Sequence, residues 1–150
     1  MENEDTRYQS LLQGALEAFS EVNFAVLYGS VARGTERLDS DIDLGVALDA
    51  RTPLGSERLI DISLACSEAT GREVQVRDLS RADGIFLKAV MTEGVVLLNR
   101  KPAVRAELII RMLRFVEDML PNIRMIQRAH RQRNEQELLR GREAHGTETE

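Results

Sequence analysis

The stretch LYGSVARGTERLDSDIDLGV, Leu27 to Val46, decides the fold. NFAVLYG reads as a short buried strand that ends at Gly29, and SVARGT reads as the first turn or two of a helix stopped by Gly34. In SDIDLGVAL, Ile42, Leu44 and Val46 alternate with Asp41, Asp43 and Gly45. That period of two marks a second strand. Side chains at i and i+2 of a strand point the same way, so the Asp41 and Asp43 carboxylates stand side by side. Left alone, they repel. A divalent cation is the usual resolution, because Mg2+ takes hard oxygen ligands and is commonly held by one or two carboxylates plus substrate phosphates. A Gly29-Ser30 turn leading into a helix N-terminus offers the complementary half: backbone N–H groups and a hydroxyl directed at phosphate oxygens. Together the two halves describe a site for a nucleoside triphosphate and its metals.

Working outward, periodic apolar residues from Tyr8 to Phe19 predict an amphipathic helix over 6–19. After a proline-containing loop, Ser56 to Thr70 reads as a helix capped by Ser56 and stopped by Gly71. REVQVRDL alternates again, with Val74 and Val76 on one face and Glu73, Gln75 and Arg77 on the other, which predicts a third strand. SRADGIFLKAVMTEG predicts a short helix capped by Ser80, and VVLLN a fourth strand. From Pro102, apolar residues at Val104, Leu108, Met112, Phe115, Val116 and Met119 predict a helix. Pro121 is expected to break or kink it, with a further helix from Asn122 to about Leu139. GREAHGTETE has nothing to bury and is expected to be disordered.

The 150 residues, 43% hydrophobic, suffice for one domain with a real core. Its 4% aromatic content suits an α/β or helical core better than an aromatic-rich sandwich. No apolar run approaches the roughly 18 residues of a membrane helix. The N-terminus, MENED, is acidic where a signal peptide is basic. A cytoplasmic protein with no membrane partner is therefore expected. The single cysteine, Cys66, excludes an intrachain disulfide and reads as a small buried helix residue, and two histidines make no metal cluster. The net charge of −5 hides an asymmetry: residues 1–99 carry 17 acidic and 9 basic side chains, residues 100–143 carry 6 and 11. A basic helix face can be merely solvated, or can meet an acidic partner. No aromatics interleave it to stack bases, so direct nucleic-acid binding is not expected.

Asp-x-Asp and Gly-Ser are each commonplace; their joint spacing is not. G-S-x10-D-x-D, carried by Gly29, Ser30, Asp41 and Asp43 in a strand–turn–helix–strand unit, resembles the signature of the polymerase-β-like nucleotidyltransferase superfamily. The fuller text YGSVARGT…DSDIDL is similar to the minimal nucleotidyltransferases, small prokaryotic proteins. RMLRFVEDMLPNI looks like the R…Y-E-D-F-L-P ending of members that serve as antitoxins to HEPN-type ribonuclease toxins. The resemblance implies an α/β (α+β) nucleotidyltransferase fold: a small mixed sheet flanked by helices, with a C-terminal helical extension. It implies a nucleotidyltransferase domain over 1–100, helices over 101–140 that pack on it and remain available to a partner, and a tail over 141–150. It further implies transfer of AMP from ATP, with Mg2+, to a tyrosine hydroxyl of a HEPN toxin, which silences that toxin. Carried over by position, Gly29 and Ser30 bind the triphosphate, Arg33 stabilises phosphate charge, and Asp41 and Asp43 hold the metals.

One departure matters. The family usually places a third aspartate on the next strand, in a motif like V-D-x-x-D-L, where this chain reads VQVRDL and the catalytic position is Gln75. A neutral amide accepts a hydrogen bond but cannot take a proton. Three outcomes stand open: rescue by Glu73 on the same face, slow catalysis on two carboxylates, or loss of chemistry with neutralisation by binding alone. A small-molecule nucleotidyltransferase is a further alternative, for which 150 residues leave little room for a second substrate domain. Arg124 and His130, R-x5-H, superficially match a HEPN ribonuclease motif but read as coincidence, and Arg37 and Lys88 read as surface charges. His145 gets no role.

Overall fold

A computed structural model describes residues 4–32 and 41–146. Its elements are α1 (Glu4–Leu16), β1 (Phe24–Tyr28), β2 (Ile42–Ala47), α2 (Ser56–Thr70), β3 (Val74–Asp78), a 3-10 turn (Leu79–Arg81), α3 (Gly84–Glu93), β4 (Val95–Asn99) and α4 (Pro102–Gly146). The four strands form one mixed sheet in the order β3-β2-β1-β4. β1 is antiparallel to both β2 and β4, whereas β3 runs parallel to β2. The chain divides into two units at Leu113/Arg114.

In the first unit the alternation of each strand sorts side chains to two faces. Ala25, Leu27, Ile42, Leu44, Val46 and Val74 pack on one side with Leu12 and Leu16 of α1 and Ile62 and Cys66 of α2. Phe24, Val26 and Ala47 pack on the other with Leu79, with Leu87 and Val90 of α3, and with Val104, Leu108 and Met112 of α4. Each such fully buried Leu, Ile or Phe contributes about 1.5–3 kcal/mol. Gly45 lies under this second layer, and a Cβ there would press on the Leu79 side chain.

β3 is an edge strand, so one row of its backbone groups lacks a sheet partner. Two serines of α2 supply it: Ser63 Oγ donates to the Val74 carbonyl at 2.5 Å, and Ser67 Oγ accepts from the Val74 N–H at 3.0 Å. The other end of β3 is tied by Asp78. Its Oδ1 accepts from Ser80 N at 2.8 Å and its Oδ2 from Leu54 N at 2.7 Å.

The four strands and α2 lie where alternation and the glycine stops predict. Four details differ. Helix α1 ends at Leu16 rather than Phe19, with a turn at residues 17–18. The α2 cap is Gly55, in extended conformation, and Ser56 is the first helical residue. Ser80 does not cap α3: Asp78 draws Leu79–Arg81 into a 3-10 turn, Ser80 is buried, and α3 begins after Asp83. Helix α4 runs through Pro121 to Gly146, so neither a break at Pro121 nor disorder over 141–146 is observed. Pro121 frees the Glu117 carbonyl, but both residues are exposed and water can satisfy it. Glu135 to Arg140 are strong helix formers and carry the helix onward. Of the predicted helix start over SVARGT, Ser30 to Ala32 form a turn and residues 33–35 lie outside the described residues, as do residues 147–150 of the tail.

Within the first unit, Arg111 of α4 clamps three carbonyls. It donates to Ser80 O at 2.9 Å, to Ala82 O at 3.2 Å and to Ala50 O. Arg111→Ala leaves these acceptors in a partly buried place without a donor and is expected to lower stability by about 2–4 kcal/mol, read by urea or thermal unfolding. Arg111→Lys should recover less than half of the loss, because an ammonium lacks the planar fork.

Candidate active site

The sheet register builds the site. Asp43 of β2 is paired with Tyr28 of β1 on one side and with Gln75 of β3 on the other, and residues so paired share a face. Asp41, two residues earlier, shares that face too. Gln75 Nε2 donates to Asp41 Oδ2 at 2.9 Å, which ties the amide to the carboxylate pair. Gly29 follows Tyr28 directly, with φ of +80°, a left-handed conformation that disfavours side chains. A Cβ at Gly29 would collide with the Asp43 carboxylate and lie 3.3 Å from its Cγ. Only glycine lets the turn close on the acid, and Ser30 begins that turn. Gly29, Ser30, Asp41, Asp43 and Gln75 therefore lie at one end of the sheet, where β1 ends and β2 and β3 begin. Arg33 and Arg37 lie outside the described residues.

The electrostatics follow from this crowding. Partial burial pushes the Asp43 carboxyl above its ordinary value, Arg77 opposes the rise, and Asp41 adds to it. The Tyr28 phenol is raised as well, by burial first and then by Asp43, with Arg77 again opposing. Two carboxylates, a glycine turn and no thiolate or imidazole make a hard-oxygen donor set, which fits Mg2+. Among the described residues no group of three or more His, Cys, Asp or Glu is placed to hold a metal by itself. Asp41 and Asp43 would thus share the ion with phosphate oxygens and water.

The arrangement includes residues that sequence reasoning passed over. Arg77 is two residues beyond Gln75 on the same face, and its guanidinium carbon sits 5.1 Å from the centre of the Phe86 ring. Phe86 meets Tyr28 edge to face, centroids 5.5 Å apart. The alternation of REVQVRDL already put Arg77 beside Gln75; the contribution of Phe86 from α3 needed the fold. Glu73 lines a surface depression with Leu64, Ser67 and Glu68 of α2, and no described contact joins it to Asp41 or Asp43. Asp78, engaged by Ser80 and Leu54, is structural. Cys66 is buried, its thiol pushed up to about 11 by that burial, as a packing residue should be. Lys88, Arg124 and His130 are exposed on helices.

A sequence model of the family described as "Polymerase beta, Nucleotidyltransferase" matches residues 11–103, more than half of the chain. The chain belongs to the polymerase β nucleotidyltransferase family. The matched span runs from α1 to the first residues of α4 and takes in every element of the acid cluster. Among curated proteins none matches significantly by sequence. Several solved structures share the nucleotidyltransferase fold. One is described as a toxin–antitoxin with AMP-PNP, 19% identical over 87% of this chain and 98% of that one, with a TM-score of 0.58. A mutant of the toxin–antitoxin MntA-HpeT is 17% identical over 81% and 98%, with a TM-score of 0.64. A complex of tri-AMPylated Shewanella oneidensis HEPN toxin with MNT antitoxin is 16% identical over 82% and 98%, with a TM-score of 0.57. At these identities the likeness is one of fold.

The raised Asp43 carboxyl has a stability consequence. Its native value lies above its unfolded value, so ionisation costs native stability once pH rises through the native value, and the cost vanishes below the unfolded value of about 4. In metal-free buffer Asp43→Asn is expected to raise Tm by a few degrees at pH 7 and to leave it unchanged near pH 3, measured by thermal melts across pH.

Proposed function

We propose that this chain is an antitoxin nucleotidyltransferase that neutralises a HEPN-type RNase toxin in the cytoplasm by transferring AMP from ATP to a toxin tyrosine hydroxyl. Gly29 and Ser30 hold the triphosphate with Arg33, and Asp41 and Asp43 hold Mg2+, with Gln75 in the third position. The observation that carries the reading is the row Tyr28–Asp43–Gln75 with Gly29 closed against the Asp43 carboxylate, because it brings a glycine turn and a carboxylate pair together on one surface. Residues 1–100 form the transferring domain. Toxin–antitoxin complexes among the structural neighbours, one with AMP-PNP and one with an AMPylated HEPN toxin, support substrate and partner alike.

Chemically, the acceptor oxygen bonds to the α-phosphorus as the bond to the bridging oxygen breaks, and pyrophosphate leaves. Mg2+ supplies charge neutralisation for the phosphates. The chain's own part is to fix the turn amides against those phosphates and to hold the carboxylate pair in register. Gln75 cannot accept the acceptor's proton, which passes to solvent, so the transfer is slow relative to a three-acid site. Residues 101–140 present the partner-facing helix: Leu120, Ile123, Met125, Ile126, Leu138 and Leu139 of α4 are all exposed, on a helix rich in arginine. An amphipathic helix of this kind docks in a groove of a helical partner.

A second reading has a specific observation behind it. Because the Gln75 amide donates to Asp41 where the family's third aspartate would bind metal, neutralisation by binding alone stays in play. Incubation of the chain and its partner toxin with ATP and Mg2+, followed by intact-mass measurement, is expected to show toxin mass increasing by whole AMP units. An Asp41→Asn, Asp43→Asn double variant is expected to lose both the addition and the protection of cells. A double variant that protects as well as the wild type selects the binding reading.

A further inference from the structure

We infer that the acid pair takes a single divalent cation, delivered with the nucleotide, and that the Arg77 guanidinium supplies the positive charge a second cation would otherwise bring. The inference rests on the nucleotide-transfer reading and deepens it.

Three features lead there. The first is the donor count. Two cations bridged by carboxylates repel each other strongly and need several anionic ligands to share the load. Here the described residues offer two carboxylates, and the third position is a neutral amide that adds no charge. The second is that part of Asp41 is already engaged, because Gln75 Nε2 directs an N–H at its Oδ2. A metal arriving at that oxygen meets a donor hydrogen where it needs a lone pair.

The third feature is Arg77 itself. It pairs with Gly45, one step along the same face from the Asp43–Gln75 pair. A guanidinium stays charged at any physiological pH. Its plane is seated on Phe86, which is braced edge-on by Tyr28, the β1 partner of Asp43. Cation–π seating of this kind fixes the charge beside the acid pair rather than letting it drift into solvent. A fixed cation on the face of Asp41 and Asp43 offsets one of the two negative charges that the described residues bring there, which leaves the pair able to help hold a nucleotide-bound cation but poor at holding a second, which Arg77 also repels. Arg77 is thus a positioning residue that sets metal stoichiometry.

The test counts metal without relying on turnover. Mn2+ is titrated into the full-length chain saturated with α,β-methylene ATP, which cannot be cleaved at the transferring bond, and free Mn2+ is read by electron paramagnetic resonance. The wild type is expected to bind one Mn2+ per nucleotide-bound chain, and none without nucleotide over the same range. Gln75→Asp is expected to add a second, weaker Mn2+ site. Adding Arg77→Met, which keeps a stem over Phe86 but removes the charge, should tighten that second site about tenfold, whereas adding Arg77→Lys should not. A purely structural Arg77 would leave the second site's affinity alone. Arg77→Gln in the same background serves if the methionine variant does not melt cooperatively. Two Mn2+ in the wild type, or a second site indifferent to the charge at 77, overturns the inference while leaving nucleotide binding intact. Failure of the wild type to bind the analogue at all, by equilibrium dialysis, overturns the nucleotide-transfer reading and this inference with it.

Discussion

Two like charges held on one strand face are the constraint around which this molecule is organised. Asp41 and Asp43 cannot move apart, because the register locks Asp43 between Tyr28 and Gln75 while Ile42, Leu44 and Val46 are buried on the opposite face. A slip by one residue would not separate them: it would turn both acids together into the core and the apolar row outward, which the core forbids. Repulsion is thereby stored at the sheet end and compensated elsewhere in the fold.

The scaffold shows where the compensation lies. Edge strand β3, which brings Gln75 and Arg77 to the acids, is pinned at its start by Ser63 and Ser67 and at its end by Asp78. Arg111 gathers the carbonyls of Ala50, Ser80 and Ala82, binding the segments that follow β2 and β3 to α4. Glycines sit at three described places where backbone and side chains must come close: Gly29 against Asp43, Gly45 beneath Leu79, and Gly94 against Val26 and the Val90 carbonyl. These contacts fix the strand ends that carry Asp41, Asp43 and Gln75.

Much of this was legible in the sequence because alternation and glycine stops are local signals. Ile42-Asp43-Leu44 and Val74-Gln75-Val76 announce strands and faces, and those phases alone set Gln75 and Arg77 on one side of β3. Capping was harder to read. Ser80 looks like a helix cap until Asp78, also a capping residue, captures its N–H first and makes a 3-10 turn. Pro121 looks like a helix end, yet an exposed proline removes one hydrogen bond from a helix that its neighbours' propensity sustains. What could not be read locally was the aromatic brace under Arg77, since Tyr28, Arg77 and Phe86 come from three elements and meet only after folding.

The functional account reduces to one spatial statement: a triphosphate spans from the Gly29-Ser30 turn to Asp41 and Asp43. The most direct measurement is a crystal structure of the chain with α,β-methylene ATP and Mn2+, with the metal located by its anomalous signal. The account predicts Mn2+ on the Asp41 and Asp43 carboxylates, its remaining ligands coming from phosphate and water, and phosphate oxygens on the turn amides. Nucleotide bound on another surface, or metal and phosphate found apart from the acid pair, would contradict it.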